Sequence, residues 1–141
     1  MIVWFSERPG FSPLKLTFDF CFMKQQELED RVLTFSVNVV QMTKKMPGST
    51  AGVHLANQIT RSGTAPSLMY GEACSAESRQ DFLHKMGMAL KELRETKMCL
   101  RLISMNQFIP GSTIDELINE NDQLIRIFAK SISTAKRNRL K

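Results

Sequence analysis

Apolar residues recur along this chain with alternating gaps of four and three, a rhythm that confines it to helices burying one seam each. Leu28, Val32, Phe35, Val39, Met42 and Met46 set the pattern. Leu33, Val37 and Val40 lie beside it as a second apolar row, wider than a single seam requires. Pro47-Gly48 stops the helix, and Ser49 or Thr50 can cap the next. The second helix, from about Ala51 to Cys74, is rich in small residues that permit close backbone approach. Pro66 within it removes an amide donor and predicts a packing kink. Phe82, Met86, Ala89, Leu93, Thr96, Leu100 and Ile103 repeat the rhythm in a third helix, with Ser78 and Asp81 suited to its start. Phe108-Ile109-Pro110-Gly111 closes that hairpin, and Thr113 with Glu116 predicts a capping box for a fourth helix. Its inward residues are Ile114, Leu117, Leu124, Phe128 and Ala135, with Ile118, Ile125 and Ile132 beside them.

Four helices joined by short connections predict an all-α, antiparallel up-down-up-down four-helix bundle. The second apolar rows on the first and last helices would face water unless another subunit covered them. A wide core stripe in a monomer is the other way to use such rows, and periodicity does not separate the two. At 141 residues the chain fits one domain, enough to bury about two-thirds of its unfolded surface.

The first 22 residues differ from the rest. They are aromatic-rich, with Trp4, Phe5, Phe11, Phe18, Phe20 and Phe22, and are broken by Pro9, Gly10 and Pro13. No signal-peptide pattern or bilayer-length apolar run is present in the sequence. The alternation from Leu14 to Phe20 suggests a short strand with no evident partner. The expected organisation is therefore a loosely ordered N-terminal extension over 1–22, a bundle over 23–138 and a basic tail over 139–141.

Catalytic and metal-binding patterns are weak. Asp81 and His84 share a helix face, which is half of a carboxylate-histidine metal motif, but His54 has no acid three residues before it. Asp81 as a helix cap and His84 at the core edge is the plainer account. Cys21, Cys74 and Cys99 have neither paired nor C-x-x-C spacing, which suits a reducing cytoplasm and indicates no zinc site. Glycine-rich phosphate loops and nucleophile elbows are missing from the sequence. The expectation is a protein that is not an enzyme, with no cofactor, no metal and no membrane span.

One run is more specific than any of these patterns. Arg61-Ser62-Gly63-Thr64, Gly71-Glu72-Ala73 and Ala76-Glu77-Ser78-Arg79-Gln80-Asp81-Phe82-Leu83-His84-Lys85 lead into Ala89-Leu90-Lys91-Glu92-Leu93-Arg94-Glu95-Thr96. From Lys24 to Asn138 the chain resembles the bacterial four-helix-bundle proteins, also known as 23S rRNA intervening-sequence proteins. They are related to the accessory variability determinant of diversity-generating retroelements. The resemblance implies a short helical bundle, a cyclic homo-oligomer with the pentamer favoured, and a nucleic-acid role for some members; it implies no enzyme activity. Arg61, Ser62, Gly71, Glu72, Asp81, Phe82, His84, Lys85, Glu92 and Glu95 carry it, whereas Met69, Met98 and Cys99 depart from the family's usual residues.

The formal charge of +5 and pI of about 9.3 fit an anionic partner. Arg61, Arg79, Lys85, Arg94, Lys136, Arg137 and Arg139 are the expected phosphate contacts, with Arg61 and Lys85 foremost and Glu72 and Glu92 as partners for cations within or between subunits. With Tyr70 the sole tyrosine and acids interleaved among the cations, RNA or DNA would be met by charge and shape rather than base readout. The competing expectation is a protein-interaction scaffold, for example an adaptor for a reverse transcriptase.

Overall fold

The computed structural model describes the backbone of residues 14–138 and the side chains of 24–138. The described residues form four helices: α1 Leu14–Thr43, α2 Thr50–Cys74, α3 Arg79–Met105 and α4 Gly111–Arg137. Each packs on the next in chain order and α4 returns to α1, across the most sparsely packed seam. No strand occurs among the described residues.

The heptad seams form the core. Val32, Phe35, Val39 and Met42 of α1 are buried, as are Phe82, Met86, Ala89, Leu93, Thr96, Leu100 and Ile103 of α3. Ile114, Leu117, Leu124, Phe128 and Ala135 complete it from α4. Tyr70 is buried edge-on to Phe128, with ring centroids 5.6 Å apart. Small residues on α2 act as the sequence predicts. A Cβ on Gly63 would stand 2.8 Å from a Val39 methyl, so α1 and α2 approach closely at that point. The Ser36 hydroxyl uses the approach to donate to the Gly63 carbonyl at 2.9 Å.

Helix ends follow cap chemistry in two cases of three. Ser49 and Ser78 accept from the amides of Gly52 and Asp81, satisfying donors that a helix start leaves open. The expected Thr113–Glu116 box at α4 is not formed. α4 begins earlier, at Gly111, with Pro110 in the cap position and no side-chain cap bond, so Thr113 falls inside the first turn. The short strand expected over Leu14–Phe20 is also corrected, because α1 already runs from Leu14. A lone strand leaves its amides unpaired, whereas a helix pairs them within the segment. Residues 1–13 and the tail, including Arg139 and Lys141, lie outside the described residues.

The second apolar rows divide. Leu33 and Val37 of α1 are exposed, as expected for an uncovered row. Ile118, Ile125 and Ile132 of α4 are instead half-buried and packed against the core. Periodicity missed the exposed Val53 and Leu68 of α2 and the Met98, Leu102 and Met105 row of α3.

Candidate nucleic-acid interface

The cations expected at an anionic surface fall into two groups. Arg61 on α2 pairs with two acids of α3: its Nη1 lies 3.3 Å from Glu92 Oε2, and its other terminal nitrogen donates to Glu95. Lys85 on α3 pairs with Glu72 of α2. The adjacent carboxylates raise the pKa of both cations, largely through those hydrogen bonds. Arg79 at the start of α3 donates through Nε to the Ala135 carbonyl at 2.9 Å and through Nη2 to the Lys136 carbonyl at 3.0 Å. It thereby caps the end of α4, where carbonyls are left open and a cation suits the helix dipole. These three residues tie helices together. Glu72 and Glu92 serve within the chain as the partners expected for them.

Arg94, Lys136 and Arg137 form the second group: all three are exposed, and among the described residues no carboxylate pairs with their side chains. Lys136 and Arg137 belong to a larger feature of α4. From Gly111 to Asp122 that helix carries Asp115, Glu116, Glu120 and Asp122 and no lysine or arginine. From Gln123 to Asn138 it carries Arg126, Lys130, Lys136 and Arg137 and no acid. All four of these cations are exposed. The acids that precede them most closely on α4 are already engaged: Glu120 holds Arg31 at 2.6 Å, and Asp122 holds Lys97 at 2.7 Å. Helix-dipole complementarity explains Lys136 and Arg137 in the last turn. It does not extend to Arg126 and Lys130, because the effect fades within one turn of the end.

Arg126 and Lys130 were not singled out from the sequence. The signal available was the sharp change of charge sign at Asp122 within one helix.

The sparse seam between α1 and α4 leaves a groove of about 560 Å³. Its walls are mixed: Thr34, Asn38, Gln41 and Lys45 on α1 face Thr113 and Glu116 on α4, and Phe35, Met42 and Leu117 supply apolar lining. Arg31 bridges one end to Glu120 and to Gln123, the latter at 2.6 Å. Among the described residues no three metal-ligating side chains converge, and no helix is long and apolar enough to cross a membrane. Cys74 is half-buried and Cys99 buried, both unpaired, and burial raises each thiol pKa.

Residues 24–130 match the family model for the 23S rRNA-intervening sequence protein. The chain belongs to that family. A solved structure from Bacteroides thetaiotaomicron, a protein of unknown function from the S23 ribosomal protein family, is similar with a TM-score of 0.72. It is 29% identical, and the likeness covers 78% of this chain and 98% of that one. No curated protein matches the chain.

Proposed function

We propose that this family member is a non-enzymatic, homo-oligomeric helical bundle that binds nucleic acid through its phosphates without reading bases. The observation that carries the reading is the C-terminal half of α4, where four exposed cations stand without an acid among them. Such a stretch attracts a polyanion regardless of sequence, because phosphate contacts supply affinity while base edges supply specificity. The sole tyrosine, Tyr70, is buried and offers no stacking platform. In this reading Arg61, Arg79 and Lys85 serve the fold, and Lys136 and Arg137 act with Arg126 and Lys130 at the surface.

Self-association belongs to the same reading. Exposed apolar rows on α1 and α3 support it, and copies arranged in a ring would add their α4 surfaces together. The opposite order of the α2 to α3 pairings supports an antiparallel up-down-up-down arrangement: Gln58 meets Glu95, Arg61 meets Glu92, and Glu72 meets Lys85. The free thiols suit a reducing cytoplasm.

A salt series tests the reading. Affinity for RNA and DNA should fall steeply as salt rises, and each neutralising change among Arg126→Gln, Lys130→Gln and Arg137→Gln should flatten the slope by about one unit. Arg61→Gln and Lys85→Gln should leave the slope unchanged. A protein that binds neither RNA nor DNA at low salt overturns the nucleic-acid reading, and the scaffold then stands.

A further inference from the structure

The exposed cations of α4 continue onto α3. Lys91 and Arg94 are exposed, and among the described residues no carboxylate pairs with either. Three contacts fix where they stand: Asn121 donates to the Leu93 carbonyl, Lys97 meets Asp122, and Arg79 donates to the Ala135 carbonyl. Residue numbers on α3 thus rise as those on α4 fall. Arg94 lies level with Asp122, on the side of α3 from which Lys97 reaches α4, and Lys91 lies level with the basic half that follows. On α4, Arg126, Lys130 and Arg137 follow at gaps of four and seven along one side, over about 17 Å. The Arg126 Nε donates to the Asp122 carbonyl at 3.2 Å, which anchors its guanidinium one turn from the Lys97 pair.

The acids around this surface lie at its edges, with one exception. Glu92 and Glu95 face α2, where Arg61 holds both. Asp81, four residues before Lys85, lies on that same side. Glu120 is turned to α1 and held by Arg31, and Glu27 and Asp30, exposed on α1, border the surface there. Glu77, in the turn before α3, stands at one end. Asp115 and Glu116 at the start of α4 stand at the other, with Arg101 lying towards them. Asp122 is the exception. It sits between Arg94 and Arg126 and meets Lys97 at 2.7 Å, the two side chains being 32% and 40% exposed. The pair cancels one cation in the middle of a surface that otherwise carries Lys91, Arg94, Arg126, Lys130, Lys136 and Arg137.

A single strand is held by stacking its bases on aromatic rings along a charged groove. Among the described residues no aromatic side chain is exposed: Phe35, Tyr70, Phe82 and Phe128 are buried, and Phe108 packs against the core. The groove between α1 and α4 is lined by the acidic half of α4, away from these cations. A duplex needs neither feature, because its bases stay stacked inside while its phosphates stand outside in fixed positions. We propose that the basic surface crosses from α4 onto α3 and takes the phosphate backbone of a nucleic-acid duplex, with Asp122 holding Lys97 out of the contact. Neighbouring helices lie about 8–10 Å apart, so the cations form a patch rather than a line. A patch suits the two strands of a duplex better than the single file of phosphates on one strand.

The proposal rests on the phosphate-binding reading above, and one set of titrations separates the two. Duplex DNA, duplex RNA and single strands of one length are titrated by fluorescence anisotropy at stepped salt. Duplexes should bind about tenfold more tightly than single strands, the factor that even one stacked base would have supplied. Lys91→Gln and Arg94→Gln should each flatten the salt slope of duplex binding by about one unit. Lys45→Gln, at the far end of α1, should leave it unchanged. Asp122→Asn should act in the opposite sense, tightening duplex binding and steepening the slope by about one unit as Lys97 becomes available. Asp115→Asn should change neither. A surface ion pair adds little to stability, so melting of Asp122→Asn should scarcely move; if it unfolds, the Lys91 and Arg94 variants decide how far the surface extends. Single strands bound as tightly as duplexes overturn the duplex assignment and leave phosphate binding in place. Slopes unmoved in the Lys91 and Arg94 variants confine the contact to α4 and overturn the extension, and a slope unmoved in Asp122→Asn overturns the role of Asp122. A protein that binds no nucleic acid at low salt overturns the parent reading and this one with it.

Discussion

At the scale of the residue, a cation's value depends on what already holds it. Arg79 was expected at a phosphate surface, yet its guanidinium is occupied by the Ala135 and Lys136 carbonyls. Arg79→Ala should loosen the end of α4 and cost about 1 kcal/mol, roughly a 3 °C fall in melting temperature. The salt slope of nucleic-acid binding should stay where it was. Calorimetry and a binding titration read the two effects separately, and a changed slope with unchanged melting would return Arg79 to the interface. A sequence shows that an arginine stands at a helix start; it does not show which carbonyls another helix brings within reach. Asn121 makes the same point. It is fully buried among the apolar positions of α4, donates to the Leu93 carbonyl at 3.1 Å and leaves its Oδ1 unpartnered.

At the scale of the element, the small residues of α2 set how closely α1 can lie. Ala usually favours a helix over Gly by about 1 kcal/mol, but at Gly63 the new Cβ would press 2.8 Å into Val39, which is fully buried. Crowding of that kind costs about 1–3 kcal/mol and should outweigh the propensity gain. Gly63→Ala should therefore lower stability in chemical denaturation, and Val39→Ala in the same chain should recover part of the loss. Two additive losses would show that the approach is not limited by this contact. α4 shows how far an element can be read in advance: its inward positions were legible, but its start was not. The S/T-x-x-E pattern at Thr113 marks a plausible cap, while Pro110 admits the helix earlier.

At the scale of the whole molecule, burial sets a limit on alkaline stability. Tyr70 is held well above its ordinary 10.0, chiefly by burial, and Cys74 and Cys99 are raised above 9.0 for the same reason. The unfolded chain releases these protons at ordinary values, whereas the fold retains them. Their contribution is therefore complete below the unfolded values and declines as pH rises past them. Unfolding free energy measured at steps from about pH 7 to about pH 11.5 should stay level at first and then fall. Cys74→Ala with Cys99→Ala should flatten the early part of the fall, and Tyr70→Phe the later part. A profile identical in these variants would mean that other groups set the alkaline limit.

The sequence by itself determined the number of helices, the seams they bury and the family, because a four-and-three rhythm and a long run of fixed residues are local facts of the chain. Tertiary structure decided the roles of the charges. Arg61 and Lys85 meet acids that lie 31 and 13 residues away in the chain, so their engagement exists only once α2 and α3 pack. The same packing turned the second row of α4 inward and left those of α1 and α3 outward, because exposure depends on where neighbouring helices lie and periodicity records only which residues share a face.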